Sequence, residues 1–356
     1  MTQPAHTPNL AWLHDPAAAV DSAARAAAEA RQAELTKPPG SLGRLETLAV
    51  DFAGWQGRPV PTIEHIGLAV FAGDHGVAAQ GVSAFPQSVT AQMVANFAVG
   101  GAAVAVLARR AGAAMTVVNL GTVSSTAHVP GVINHGLAPG TADFTQGAAM
   151  AEATLAAALA AGADAVAPDS SLFVGGEMGI ANTTSAAAVY AALTGHNGAA
   201  VVGRGTGVDD AGLAAKQTVV DTGLARHADA WAGLDTPEAA LAILRCLGGL
   251  EIAALTGAYI AAAQRGVPSL VDGFIASVAA LAAVRINPSV ADWLIYGHRS
   301  AESGHADVLA DLNARPLLDL DMRLGEGSGA MMAVSVIQNA LALHTEMATF
   351  AEAGLV

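Results

Sequence analysis

A glutamate flanked by glycines, Glu326 in MRLGEGSGAMMA (322–333), stands where an extended segment gives way to a helical pattern. Its neighbours offer little side-chain cover, so the carboxylate is either a helix-start residue or a group that does chemistry. A second stretch, VVGRGTGVDDAGLAAK, places Gly203, Gly205 and Gly207 ahead of Asp209, Asp210 and Lys216. Glycines after a strand let backbone N–H groups approach an anion closely, and the helix start that follows adds partial positive charge, so a phosphate could sit there. The turn is neither a Walker loop nor a clean GxGxxG, and a tight turn with Asp209 as helix cap explains it equally well. Lys216 can neutralise a phosphate beside that turn or be an ordinary solvated helix lysine.

FVGGEMGIANTTSAAAVY puts Glu177 after a paired-glycine turn, with Asn182, Thr183 and Thr184 at the next helix start. These polar residues can cap the helix, and beside a carboxylate they can also match the hydroxyls of a sugar, which need paired donors and acceptors. GDHGVAAQGVSAFPQSVTAQ brings Asp74, His75, Ser83, Gln87 and Gln92 into one loop region. Asp74 and His75 could be read as metal ligands or an acid–base pair, but sequence neighbours seldom point to one centre, and a metal would need a third ligand such as His298 or His305. No GxSxG is present, and Cys246 sits in an apolar helical context as core filler, so nucleophilic triad chemistry has no support.

The elements that must position these groups follow from composition and period. The chain has 356 residues, 53% of them hydrophobic and only 13% charged, which argues for a compact body with a substantial core rather than disorder. Thirty acids against sixteen Lys and Arg disfavour a nucleic-acid or anionic-membrane surface. One cysteine excludes a disulfide framework and fits a reducing compartment; with no secretory-type leader in MTQPAHTPNLAWLHDP, the expectation is a cytoplasmic protein. Mean hydropathy is positive, yet runs such as AAVAVLARRAGAAMTVVNLG are cut by Arg109, Arg110 and glycines short of the ~20 residues a membrane span needs.

Residues 15–34 and 41–56 show helical spacing, split by TKPPGS. From about 66 onwards short apolar runs alternate with longer amphipathic or Ala-rich stretches, the pattern of βα units around a parallel sheet. The expected strands are 66–72, 115–120, 171–175, 199–203, 269–273 and 293–297, and helices are expected over 148–166 and from Ser328 to about Gly354. In an open α/β sheet ligands bind beyond the carboxyl ends of the strands, where GDHG, GGEMGIANTT, GRGTGVDD and GHRSAESGH all fall.

Taken together and in this order, KPPGSLGRLE (37–46), GDHGV (73–77) with VSAFPQSVTAQM (82–93), GGEMGIANTT (175–184), GRGTGVDD with Lys216, GHRSAESGH (297–305) and LLDLDMRLGEGSGA (317–330) resemble the nicotinate-nucleotide–dimethylbenzimidazole phosphoribosyltransferase family. The blocks extend over most of the chain from residue 37 onwards. The resemblance implies an α/β fold with a Rossmann-like parallel sheet flanked by helices, and a small helical domain. That divides the chain into an N-terminal helical segment (1–60), an α/β nucleotide-binding domain (61–315), and an active-site loop with a C-terminal helix (316–356). It implies a homodimer that needs no metal or other cofactor. The reaction implied moves phosphoribose from nicotinate mononucleotide to 5,6-dimethylbenzimidazole, with no nucleic-acid or membrane partner.

By the same resemblance Glu326 is the general base and Glu177 the second active-site glutamate. Gly203, Gly205, Thr206, Gly207 and Lys216 would hold the 5′-phosphate, with Gly179 and Asn182 nearby. Ser83, Gln92 and Leu324 would line the base pocket, Gln87 being an equally good local candidate. Two other readings stay open at this level: the same fold acting on another azole or a purine, and a nucleotide sensor without catalysis.

Overall fold

Six parallel strands form the central sheet of the computed structural model, which describes residues 9–205, 207 and 209–355. They are β1 (Ile66–Gly73), β2 (Ala114–Gly121), β3 (Val132–Asn134), β4 (Leu172–Met178), β5 (Ser269–Val271) and β6 (Leu294–Tyr296). Their spatial order is β3-β2-β1-β4-β5-β6. The chain runs outward from β1 on one side and from β4 on the other, so the crevice beyond the carboxyl ends of these two central strands is the topological switch point where such sheets bind ligands. A small two-stranded sheet, β7 (His298–Arg299) and β8 (Leu318–Asp319), follows.

Thirteen α-helices are found among the described residues: α1 (Ser22–Glu34), α2 (Arg44–Gln56), α3 (Ser88–Ala98), α4 (Ala103–Ala111), α5 (Glu152–Asp164), α6 (Asn182–Thr194), α7 (Gly198–Val201), α8 (Asp210–His227), α9 (Thr236–Leu247), α10 (Leu250–Gln264), α11 (Phe274–Ile286), α12 (His305–Asp311) and α13 (Ser328–Glu346). They cover both faces of the sheet. Successive strand residues point to opposite faces: Leu68, Val70 and Ala72 of β1 join the core under α2, α3, α4 and α13, while Ala69 and Phe71 join the larger core under α5, α6, α9, α10 and α11. α5 and α10 approach so closely that a Cβ on Gly162 would strike the Ala254 carbonyl and one on Gly257 that of Leu159, which gives the Ala- and Gly-rich helices a packing reason.

The expectation of a strand at 199–203 is wrong. The segment holds the single-turn helix α7, whose Asn197 side chain accepts from the Ala200 N–H at 3.1 Å. Val201 and Val202 are still buried, against helices rather than in the sheet. A short apolar run bounded by glycine satisfies burial either way, and period alone does not separate the two. The other five expected strands are present.

α1 and α2 are split at Pro38-Pro39-Gly40 and pack on each other and on the end of α13. Arg31 Nε donates to the His344 carbonyl at 2.8 Å, and Phe350 N–H to that of Glu34 at 2.8 Å. The apolar stretch Ser88–Ala111 is two helices, α3 and α4, broken at Gly100 (φ 78°), and each is well short of the ~20 residues that cross a bilayer.

Candidate active site

The switch-point crevice opens into a cavity of about 280 Å³ built by the ends of β4 and β5, the starts of α6 and α11, one face of α8 and the loop before α13. Glu177, Gly179, Asn182, Gly205, Lys216, Ser83, Leu324 and Glu326 all line it. These residues come from stretches far apart in sequence, so it is the parallel sheet that gathers them.

The loop before α13 carries Gly325, Glu326 and Gly327 at φ 79°, 66° and 89°, a run of three left-handed residues. Glycine adopts this backbone freely, whereas a residue with a Cβ does so only when its surroundings hold it there. Glu326 N–H donates to Glu177 Oε1 at 3.3 Å. Asp272, just past β5, accepts from Gly327 N–H at 3.1 Å and from Ala330 N–H at 2.8 Å. On the far side the turn lies on β4, where a Cβ on Gly176 would strike the Glu326 carbonyl. Gly176→Ala is therefore expected to destabilise the fold by ~1–3 kcal/mol, as overpacking does. Thermal unfolding checks it, and an unchanged Tm would mean that the turn yields freely.

The electrostatics follow from dryness. Glu326 is 7% exposed, and burial, with the negative charge of Asp272 second, pushes its carboxyl up to about 7. Glu177 is held well above the usual carboxylate range by burial and by the charges of Asp272 and Glu251; Asn182 Nδ2 donates to its Oε2. Lys216 is only 1% exposed, so the solvated-lysine reading fails. Its Nζ donates to Thr183 Oγ1 at 3.0 Å, and burial lowers it to about 8 against the opposing pull of Glu302. An anion placed beside it would restore the charge balance that burial removes.

Other candidates fall elsewhere. Gly203 and Gly207 line a neighbouring cleft that shares Gly205, Glu302 and Arg323 with the main cavity, and Thr206 lies outside the described residues. Asp209 caps α8, accepting from Gly212 N–H at 2.8 Å. Gln87 donates to the His75 carbonyl at 2.9 Å, and Gln92 is exposed on α3; neither lines the cavity.

The histidines serve the scaffold. His75 is buried between Ser185 Oγ (2.8 Å) and Glu251 Oε1 (2.7 Å), while Asp74 turns away to accept from Val123 N–H at 2.8 Å. His305 accepts from Ser300 N–H at 2.8 Å and lies 3.0 Å from Ser277 Oγ; burial lowers it to about 4. Among the described residues no group of three or more His, Cys, Asp or Glu could hold a metal ion.

Comparison with known proteins bears on what this cavity does. A family model described as phosphoribosyltransferase matches residues 17–355. The chain is 54% identical over 98% of its length, and 99% of the relative's, to the nicotinate-nucleotide–dimethylbenzimidazole phosphoribosyltransferase of Xanthomonas campestris pv. campestris strain 8004. It is 55% identical to the protein of that name from Azotobacter vinelandii strain DJ, over 97% of both chains. The chain belongs to the nicotinate-nucleotide–dimethylbenzimidazole phosphoribosyltransferase family.

The fold agrees. Crystal structures of the phosphoribosyltransferase of that name and of CobT, both from Thermus thermophilus, superpose with TM-scores of 0.86 and 0.87 at 42% and 43% identity, covering 94% of this chain and 99% of theirs. As a member of this phosphoribosyltransferase family the chain is an enzyme.

Several residues that build the site of this family member escaped the sequence reading: Phe274 and Ile275 after β5 and Ser300, Glu302 and Arg323 in the loops, which line the cavity, and Asp272, which lies just behind its wall. Ser300, Glu302 and Arg323 stand inside motif blocks already singled out, but nothing in a block tells which side chain faces the cavity. Asp272 sits at an expected strand end, the one signal that could have found it.

Proposed function

We infer that this enzyme transfers the 5-phosphoribosyl group from nicotinate mononucleotide to 5,6-dimethylbenzimidazole, releasing nicotinate and forming α-ribazole 5′-phosphate for the lower ligand of cobalamin. The observation that carries the reading is the Glu326 carboxyl, held in the cavity with its pKa raised to about 7 and with the buried cation Lys216 lining the same space.

The chemistry balances with one base. A benzimidazole nitrogen attacks C1′ while the bond from C1′ to the pyridinium breaks, and its electron pair returns to the ring, so nicotinate leaves without needing a proton. The attacking ring would become cationic unless the proton on its other nitrogen departs, and Glu326 takes it. Attack opposite the leaving group turns a β-nucleotide into an α-product. A carboxyl with a pKa near working pH is ionised often enough to act and basic enough to be effective.

Lys216 binds the 5′-phosphate, helped by Arg323 and by Gly205, whose backbone passes beside the ammonium; a Cβ there would lie 3.1 Å from Nζ. Gly203 and Gly207 belong to the same turn one cleft away. Glu177, held toward its neutral form and bonded to Asn182, orients a ribose hydroxyl rather than stabilising a sugar cation. Ser83 and the half-exposed Leu324 lie against the incoming base. Gln87 and Gln92 lie outside the cavity and drop from this base-binding set. The same reading takes the working particle to be a cytoplasmic homodimer, which light scattering and fractionation test.

The deciding experiment gives the purified protein nicotinate mononucleotide and 5,6-dimethylbenzimidazole and follows both products by chromatography. Both are expected in equal amounts. Nicotinate without the ribazole would mean a different acceptor base, and neither product despite nucleotide binding would favour a sensor.

A further inference from the structure

α13 takes Gly327 as its N-cap, a residue with no side chain to close the first turn, and no side chain within the helix caps it either. The first N–H groups of a helix have no partner inside it. Here two of the N–H groups at this helix start are satisfied from another element: the Asp272 carboxylate reaches from the end of β5, Oδ2 accepting from Gly327 and Oδ1 from Ala330, while the Ser328 N–H donates to the Gly325 carbonyl within the turn. Asp272 is 1% exposed, and His298 closes its far side with Nε2 3.4 Å from Oδ1, within ion-pair reach but off hydrogen-bond alignment. The first turn of α13 rests on that imidazole, since a Cβ on Gly329 would collide with the His298 ring. Ring, carboxylate and helix start form one dry stack directly behind the left-handed turn that carries Glu326.

We propose that Asp272 is the positioning residue for Glu326: by capping α13 from the end of β5 it locks the left-handed turn that presents the Glu326 carboxylate to the substrate. This rests on the general-base reading of Glu326. The groups facing Glu326 from the elements around it are Glu177 at the end of β4, Asp272 after β5, Lys216 on α8, and Glu302 and Arg323 in the flanking loops, with His298 behind Asp272. Burial works against the Asp272 charge, but His298 and the two N–H groups outweigh it and hold Asp272 below the ordinary aspartate range, so it stays ionised. A fixed negative charge behind a second carboxylate makes that carboxylate a stronger base. Asp272 thereby holds the base in place and raises its proton affinity.

The test is Asp272→Asn, which keeps the shape, removes the charge and turns an N–H donor toward a backbone N–H. The expected result is a fall in kcat on the order of 10²-fold, the cost of a misplaced catalytic group, with the KM for nicotinate mononucleotide within a few-fold of wild type. The acidic limb of the kcat/KM profile should move to lower pH, because Glu326 loses its negative neighbour. In the double variant with Glu326→Gln the two losses should not multiply, since Asp272 acts through Glu326. An unmoved acidic limb together with multiplying losses would overturn the assignment. Wild-type turnover in Glu326→Gln alone would instead sink the base reading, which separates the two failures. Should Asp272→Asn not fold, Asp272→Ser, neutral but still able to accept at a helix start, gives the same readouts.

Discussion

Glu326→Gln is expected to lower kcat by about 10²–10⁴-fold, the range that a positioned general base contributes. Glutamine keeps the size and a hydrogen-bonding oxygen but has no basic site, so the benzimidazolium proton has nowhere to go as the bond to C1′ forms. The left-handed backbone at φ 66° and the Glu326 N–H bond to Glu177 involve main-chain atoms, so fold and nucleotide affinity should be kept. Single-turnover measurement of nicotinate release, beside a nucleotide titration, tells lost chemistry from lost binding. Wild-type turnover would remove Glu326 from the mechanism.

The wild-type pH profile belongs to the same prediction. Glu326, raised to about 7, must be ionised to act, so kcat/KM should climb with pH through that value. Lys216, lowered to about 8, must be protonated to hold a phosphate, so kcat/KM should fall again above it. The free enzyme is thus expected to give a narrow bell between the two, and Glu326→Gln should remove its acidic limb.

Lys216→Met is expected to raise the KM for nicotinate mononucleotide by about 10- to 100-fold while leaving that for dimethylbenzimidazole nearly unchanged. The factor is the ~1.5–3 kcal/mol of a hydrogen bond to a charged group. Methionine keeps the apolar stem in its buried place and drops only the ammonium. Because burial costs the Lys216 charge more than the nearby Glu302 returns, ligand-free Lys216→Met should unfold at a higher temperature than wild type, and the stabilisation given by the nucleotide should shrink. The sign agrees with linkage. A folded pKa near 8, below the ordinary 10.5, means that the wild-type ligand-free protein gains stability as pH rises through that window, and the methionine variant should lose that gain. Equal losses for both substrates would contradict a phosphate role.

Much of this is legible in the sequence. A glutamate between two glycines announces a backbone that ordinary residues avoid, and alternating apolar runs with glycine at their ends announce a parallel sheet and the edge at which it binds ligands. Both are local signals, written by sterics and by the period of side-chain burial, and a chain carries them in its own order of residues. Not everything local was decisive: AAVVG reads equally as strand or helix, and only its packing against other helices settled it.

Fold class, family and the set of blocks from which a site could be made are all written in the order of residues. Which members of those blocks meet depends on how the elements pack. Lys216 is buried because one face of α8 turns toward the cavity, and helical spacing names the faces without saying which one is covered. Gln87 and Gln92 fall outside because one, at the start of α3, donates to the His75 carbonyl after β1 and the other faces the surface. Asp272 and the turn that it holds are more than fifty positions apart in the chain, and they touch only because β5 ends where α13 begins. Burial and long-range contact arise when the elements close around one another, so the proton affinities of Glu326 and Lys216, on which the proposed chemistry depends, came into view only with the packed molecule.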